Sequence, residues 1–139
     1  MVDFHESVVY RWLAAGDAGD LDAFDELLVP DAVIHAPRGL STTGREAEKA
    51  VWRAALAAMP GLHHGVQEVL VGRDLEMARV VVTGTMAASF AGVEGSGRSF
   101  RMDQAVIVHL SEGKIAEAWE VADVAALEHE VARSDQADP

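Results

Sequence analysis

The chain has 139 residues, no cysteine, and a formal net charge of −12, and 50% of its residues are hydrophobic. That length suits a single domain, residues 1–139, large enough to bury a core, and the lack of cysteine excludes disulfides and thiol chemistry. It contains no apolar run of the roughly 18 residues that a membrane span needs, and its Lys and Arg residues are scattered, which argues against nucleic acid and anionic membranes as partners.

The opening stretch, "MVDFHESVVYRW", carries acids where a secretory signal needs positive charge, so a cytoplasmic location is expected. Asp3 and Glu6 have the spacing of a capping box, and Phe4, Val8, Val9, Trp12 and Leu13 recur at helical intervals until Gly16. A shorter helix follows, with Asp20 as its expected cap, Leu21, Phe24, Leu27 and Leu28 on one face, and Pro30 at its end. "DAVIHA", 31–36, reads as a short strand and "PRGLST" as a loop. Thr43 and Glu46 repeat the capping-box spacing before a third helix that runs through Met59, with an apolar stripe of Ala47, Val51, Ala54, Ala55 and Ala58.

Helical periodicity then gives way to four Val- and Ile-rich strands: "LHHGVQEVLV", "LEMARVVVTGTMAASF", "RSFRMDQAVIVHL" and "KIAEAWEVA". A last helix is expected from Val124 to about Arg133, with a frayed polar tail, "SDQADP". Helices segregated from an antiparallel meander make an α+β fold. Laid across the concave face of a curved antiparallel sheet, three N-terminal helices would leave a conical cavity able to bind a small molecule.

The acids of "SEGKIAEAWEVAD", 111–123, raise the question of which one enters that cavity. Faces alternate along a strand, so register decides. A three-residue turn, "SEG", with Gly113 left-handed, would pair Leu110 with Lys114, Val106 with Ala118, and Gln104 with Glu120. The inward face would then hold Met102, Gln104, Val106, Val108, Leu110, Ala116, Ala118 and Glu120. It would be apolar except for Gln104 and Glu120, direct neighbours with Cβ atoms ~5 Å apart. Ala116 and Ala118 would leave room for a ligand bounded by Met102, Val106 and Val108. A carboxylate in such a cavity has a raised pKa and can move protons near neutral pH. A four-residue turn would send Glu117 inward instead, so Glu117 is the alternative.

Other residues have narrower readings. Trp52 is either an aromatic wall for a planar ligand or core packing. His63 and His64 are adjacent on a strand and point to opposite faces, so no shared metal is expected. Asp123 precedes the last helix as an N-cap, and "GVEGSGR" is a hairpin loop at the mouth of the cone.

"GDLDAFDELLVPDAVIHAP", "VTGTMAASFAGVEGSGR" and "EGKIAEAWEVAD", in this order and spacing, resemble the SnoaL-like polyketide cyclases of the nuclear-transport-factor-2-like superfamily, over roughly residues 4–131. The resemblance implies a cone-shaped α+β barrel, a homodimer, no cofactor, and an acid/base site acting on a small hydrophobic or aromatic carbonyl compound. It places the family's acid/base carboxylate on Glu120, with Gln104 as its polar neighbour. It also marks His35 as a residue that either orients the substrate carbonyl or is structural. The expected reaction is aldol ring closure or isomerisation. Two alternatives stay open. One is a ligand-binding or dimerisation module without catalysis, favoured by apolar Val106 and Ala118. The other is epoxide hydrolysis, which requires Arg101 and Asp103 to point inward, although this register turns them outward.

Overall fold

Ser7 caps the first α-helix, and Asp3 caps a separate 3-10 turn ahead of it. The structure, a computed structural model, describes residues 3–132, so the 134–139 tail and the expected helix end at Arg133 lie outside the described residues. Asp3 Oδ1 accepts the His5 N–H at 3.0 Å to open the turn Phe4–Glu6. The Ser7 Oγ then accepts the Tyr10 N–H at 3.3 Å to open α1, Val8–Asp17. Glu76, from the strand β4 (Leu75–Thr85), accepts the Val9 N–H at 2.8 Å and ties the start of α1 to the sheet. Gly16 does not end α1. It lies inside the helix, and a Cβ there would sit 2.5 Å from the Trp52 ring, so close packing rather than a helix stop calls for glycine.

A 3-10 turn, Leu21–Ala23, leads into the short α2, Phe24–Leu27, with Leu21, Phe24 and Leu27 buried. Asp20 makes no side-chain capping bond. Pro30 does not close the helix either: β1 already runs from Leu28 to His35, and its pairing with β6 (Lys114–Ala122) is irregular between Leu28 and Val33, around the proline. Thr43 belongs to the two-residue strand β2, Thr42–Thr43, so the second expected capping box is also absent. Gly44 is the N-cap of α3, Arg45–Ala58. The face that α3 buries is Glu48, Lys49, Trp52, Ala55 and Ala58, whereas Ala47 and Ala54 are exposed. Trp52 sets this rotation by packing edge-on to Trp12 and Phe24, with ring centroids 6.5 and 6.1 Å away.

The other strands are β3, His63–Gly72, and β5, Ser99–Ser111, and a last helix, α4, spans Val124–Ala132. The strands form one curved sheet in the order β2-β1-β6-β5-β4-β3, with both ends open. The sheet is mixed, not purely antiparallel, because β1 runs parallel to β6. The helices and sheet enclose a core in which Trp12, Leu13, Phe24, Ile34, Val106 and Val108 are fully buried. This is the cone-shaped α+β architecture.

The turn between β5 and β6 has two residues. Ser111 pairs with Lys114, and both Glu112 (φ 51°) and Gly113 (φ 79°) are left-handed, as a type I′ turn requires. Carried on unbroken, that turn would set Val108 opposite Glu117. Instead Leu110 pairs with Ile115 and His109 with Glu117, so Ala116 is an extra residue, a β-bulge. The bulge restores the faces: Val108 meets Ala118 and Val106 meets Glu120. Glu120 faces inward, two residues along from its expected partner, and Gln104 lies opposite Ala122.

Candidate active site

A cavity of about 130 Å³ opens between the concave face of the sheet, α3 and α4. Its walls are mainly apolar, including Trp52, Met59, Val82, Met86, Phe100 and Met102. Polar side chains enter it from four elements: Glu48 on α3, His64 on β3, Gln104 on β5 and Glu120 on β6. Arg38, in the segment after β1, stands at the rim. Its Nη1 lies 2.7 Å from Glu128 of α4, and its Nε donates to the Ala91 carbonyl at 3.2 Å. Ala91 and Val93, which flank Gly92 at the start of "GVEGSGR", line the same rim.

Among the described residues the Glu120 carboxyl accepts no hydrogen bond. Burial pushes its pKa up from 4.5 to about 8, and the nearby Glu48 charge adds to the effect. Gln104 borders the same space with its Oε1 buried and unpartnered. Glu48 is bound differently: it accepts Thr42 Oγ1–H at 2.8 Å and Trp52 Nε1–H at 3.0 Å. Burial raises its pKa too, while those two bonds pull it back down.

His64 packs on Trp52 along the wall, its ring 5.0 Å from the Trp52 ring. Asp17, at the end of α1, takes the His64 backbone N–H at 2.6 Å and lies 2.7 Å from its Nδ1. A carboxylate can only accept, so Nδ1 carries a proton, and in the neutral ring Nε2 has the lone pair. His63 reaches the same aspartate from outside at 3.5 Å, with its side chain 67% exposed. Among the described residues no group of three or more His, Cys, Asp or Glu is placed to hold a metal ion.

Of the expected site residues, Glu120, Gln104, Trp52 and Met102 meet at the cavity. Val106, Val108 and Ala118 do not line it. They are wholly buried in the core, because the cavity lies toward the Gln104–Ala122 end of the strands. His35 is outside altogether: its Nε2 lies 2.7 Å from Glu117 Oε2, and its ring stacks on Trp119 at 5.2 Å. Alternation along β1 puts Ile34 in the core and His35 on the outer face. Arg101 and Asp103 are exposed, so the arrangement required for epoxide hydrolysis is absent. Asp123 Oδ1 accepts the Ala126 N–H at 3.1 Å, capping α4.

Sequence reasoning missed Glu48, His64 and Asp17. Glu48 had a signal, since it lies one helical turn before Trp52, whose side chain had to be buried somewhere. Asp17 and His64 had none, being 47 residues apart.

A family model for the SnoaL-like polyketide cyclases matches residues 7–131. Among solved structures, the chain is 30% identical to IdmH from Streptomyces antibioticus, provisionally assigned as a polyketide cyclase, with a TM-score of 0.79 over 91% of this chain and 96% of that one. TsrD from Streptomyces laurentii is 24% identical, with a TM-score of 0.80 over 90% and 92% of the two chains. AclR from Streptomyces galilaeus, provisionally assigned as a hydroxylase, is 22% identical, with a TM-score of 0.73 over 89% and 92%. The last two likenesses speak for the fold alone. No curated protein matches. The match across nearly the whole domain, together with the IdmH likeness, places the chain in the SnoaL-like polyketide cyclase family.

Proposed function

We propose that the protein is a cofactor-independent acid/base enzyme. It would remove a proton next to the carbonyl of a small, mostly apolar, ring-bearing substrate and direct the enol to aldol ring closure or isomerisation. The observation that carries this reading is Glu120, a carboxyl with no partner among the described residues and a pKa near 8, facing an apolar cavity whose wall also holds an Asp17-bound His64. At neutral pH Glu120 is a proton donor to the carbonyl oxygen. The free Nε2 of His64 takes the α-proton, and the C–H electron pair becomes the enol double bond as Glu120 protonates the oxygen. In ring closure the enol carbon attacks a second carbonyl. The new alkoxide takes the proton from His64, and the enol O–H returns its proton to Glu120. Gln104, whose Oε1 has no partner among the described residues, fits a hydrogen-bond donor on the ligand.

Size narrows the ligand. An apolar cavity of ~150 Å³ takes one benzene molecule, so about 130 Å³ encloses a single ring. A larger substrate extends past the Arg38 rim. Deuterium exchange at the α-carbon of one- and two-ring aromatic ketones, followed by proton NMR, tests the chemistry without knowledge of the natural substrate. Glu120→Gln should slow exchange by ~10²–10⁴-fold while ketone binding persists. An unchanged rate removes Glu120 from the mechanism, whereas ketone binding without exchange above the buffer rate in the wild type favours a binding module.

The dimer expected from the resemblance belongs to the same proposal. Leu70, Met77, Ile107, Trp119 and His35 lie side by side across the outer face of the sheet. Leu70 is 67% exposed and Val121, nearby, 61%. An apolar row of this kind is suited to a second copy of the chain.

A further inference from the structure

Two carboxyl groups border one small cavity, and the fold equips them differently. Glu48 is only 2% exposed, and both its oxygens accept hydrogen bonds, from Thr42 and Trp52. Two donors converge on Glu48, one on each oxygen, and both bonds favour its ionised form. Glu120 has no such donors. When two carboxyls share a water-poor site, repulsion leaves the proton on one of them, and the one lacking donors loses least by keeping it.

We propose that Glu48 is the fixed negative charge of the site, held by Thr42 and Trp52, and that it keeps the proton on Glu120 so that Glu120 meets the ligand as a donor. Glu48 is thus a positioning residue that acts through Glu120. Its catalytic consequence rests on the function proposed above, but its electrostatic role does not.

The other charged groups around Glu120 are accounted for. His64 on β3 is bound to Asp17 of α1, and Arg38 at the rim is bound to Glu128 of α4. From β4 and β5 only uncharged side chains line the cavity. Among the described residues, Arg38 is the one Lys or Arg that lines the cavity, and its charge is paired with Glu128. The directions agree: burial is the larger cause of the high Glu120 value and Glu48 the second.

The test needs no substrate. In protein carrying ¹³C at the glutamate side-chain carboxyls, the Glu120 signal is assigned by its loss in Glu120→Gln and then followed by NMR against pH. The wild-type midpoint should lie near 8. In Glu48→Gln it should fall, yet stay above 4.5, because burial remains. Glu48→Met removes the charge and fills the same space with an uncharged side chain, and the Glu120 midpoint should fall there as well. This second variant carries the test if Glu48→Gln does not fold.

A Glu120 midpoint that does not move in the folded variants overturns the proposal, as does a wild-type protein whose shared proton sits on Glu48 at neutral pH. The two readings fail separately. Full exchange activity in Glu120→Gln would end the catalytic role of Glu120 and leave the titration standing. An unmoved midpoint would end this one and leave the loss of exchange standing.

Discussion

Glu117 and Glu120 are three residues apart on one strand, and the two faces of the sheet treat them in opposite ways. Outside, Glu117 has His35 at 2.7 Å, and their side chains are 41% and 45% exposed. Its charge is shared between a partner and water, an arrangement that costs little and contributes little. Inside, Glu120 is half-buried at an apolar cavity, where no partner among the described residues supports its charge and water has only limited access. A carboxyl buried without compensation weakens the fold unless it stays protonated, and a group of that kind at a cavity wall is where chemistry is to be sought. The contrast shows that chemical promise lies in the missing partner rather than in the residue type.

The largest effect that would test this contrast is a stability change with pH. The folded-state value of Glu120, about 8, lies above its ordinary 4.5. Its contribution to stability is therefore complete below about 4.5 and lost as pH rises through about 8. Urea melts of wild type and Glu120→Gln should diverge in favour of the Gln variant as pH climbs toward about 9, by on the order of a few kcal/mol. A gap that does not change with pH would break the contrast.

Gly16→Ala should follow in size. Its Cβ would meet the Trp52 ring at 2.5 Å, so the ring must shift, and with it a contact to His64 and a donor to Glu48. A loss of ~1–3 kcal/mol in thermal melts is expected, with a changed tryptophan fluorescence. Glu117→Gln should do least, within ~1 kcal/mol and with ketone exchange intact. A larger loss of stability would mean that the outer His35–Glu117 pair is buried in the working assembly.

Much of the site was legible in the sequence, though the inward placement of Glu120 was reached through a wrong turn. The expected three-residue loop ending in Gly113 and the observed two-residue loop with a bulge at Ala116 both put Glu120 inside, because side-chain faces repeat every second residue. The alternation of Val106 and Val108 carried the parity, but it carried no depth. Those two residues and Ala118 share the face of Glu120, yet they lie in the packed core, beyond the cavity. Parity alone also could not locate the partner, and the two-residue displacement replaced Gln104 with Val106 opposite Glu120. His35 failed as a site residue for the same reason that Glu117 did, since both stand on the outer face.

By itself the sequence determined the order of helices and strands, the α+β class and the inward parity of one glutamate. Hydrophobic period and turn residues act over a few neighbours and can be read along the chain. Only the tertiary structure decided that Glu48 and His64 join Glu120, and that Asp17 holds the histidine from behind. These residues come from α1, α3, β3 and β6, and the packing of Trp52 against Gly16 and Phe24 sets how α3 is turned. That contact spans distant parts of the chain, so no local pattern records it.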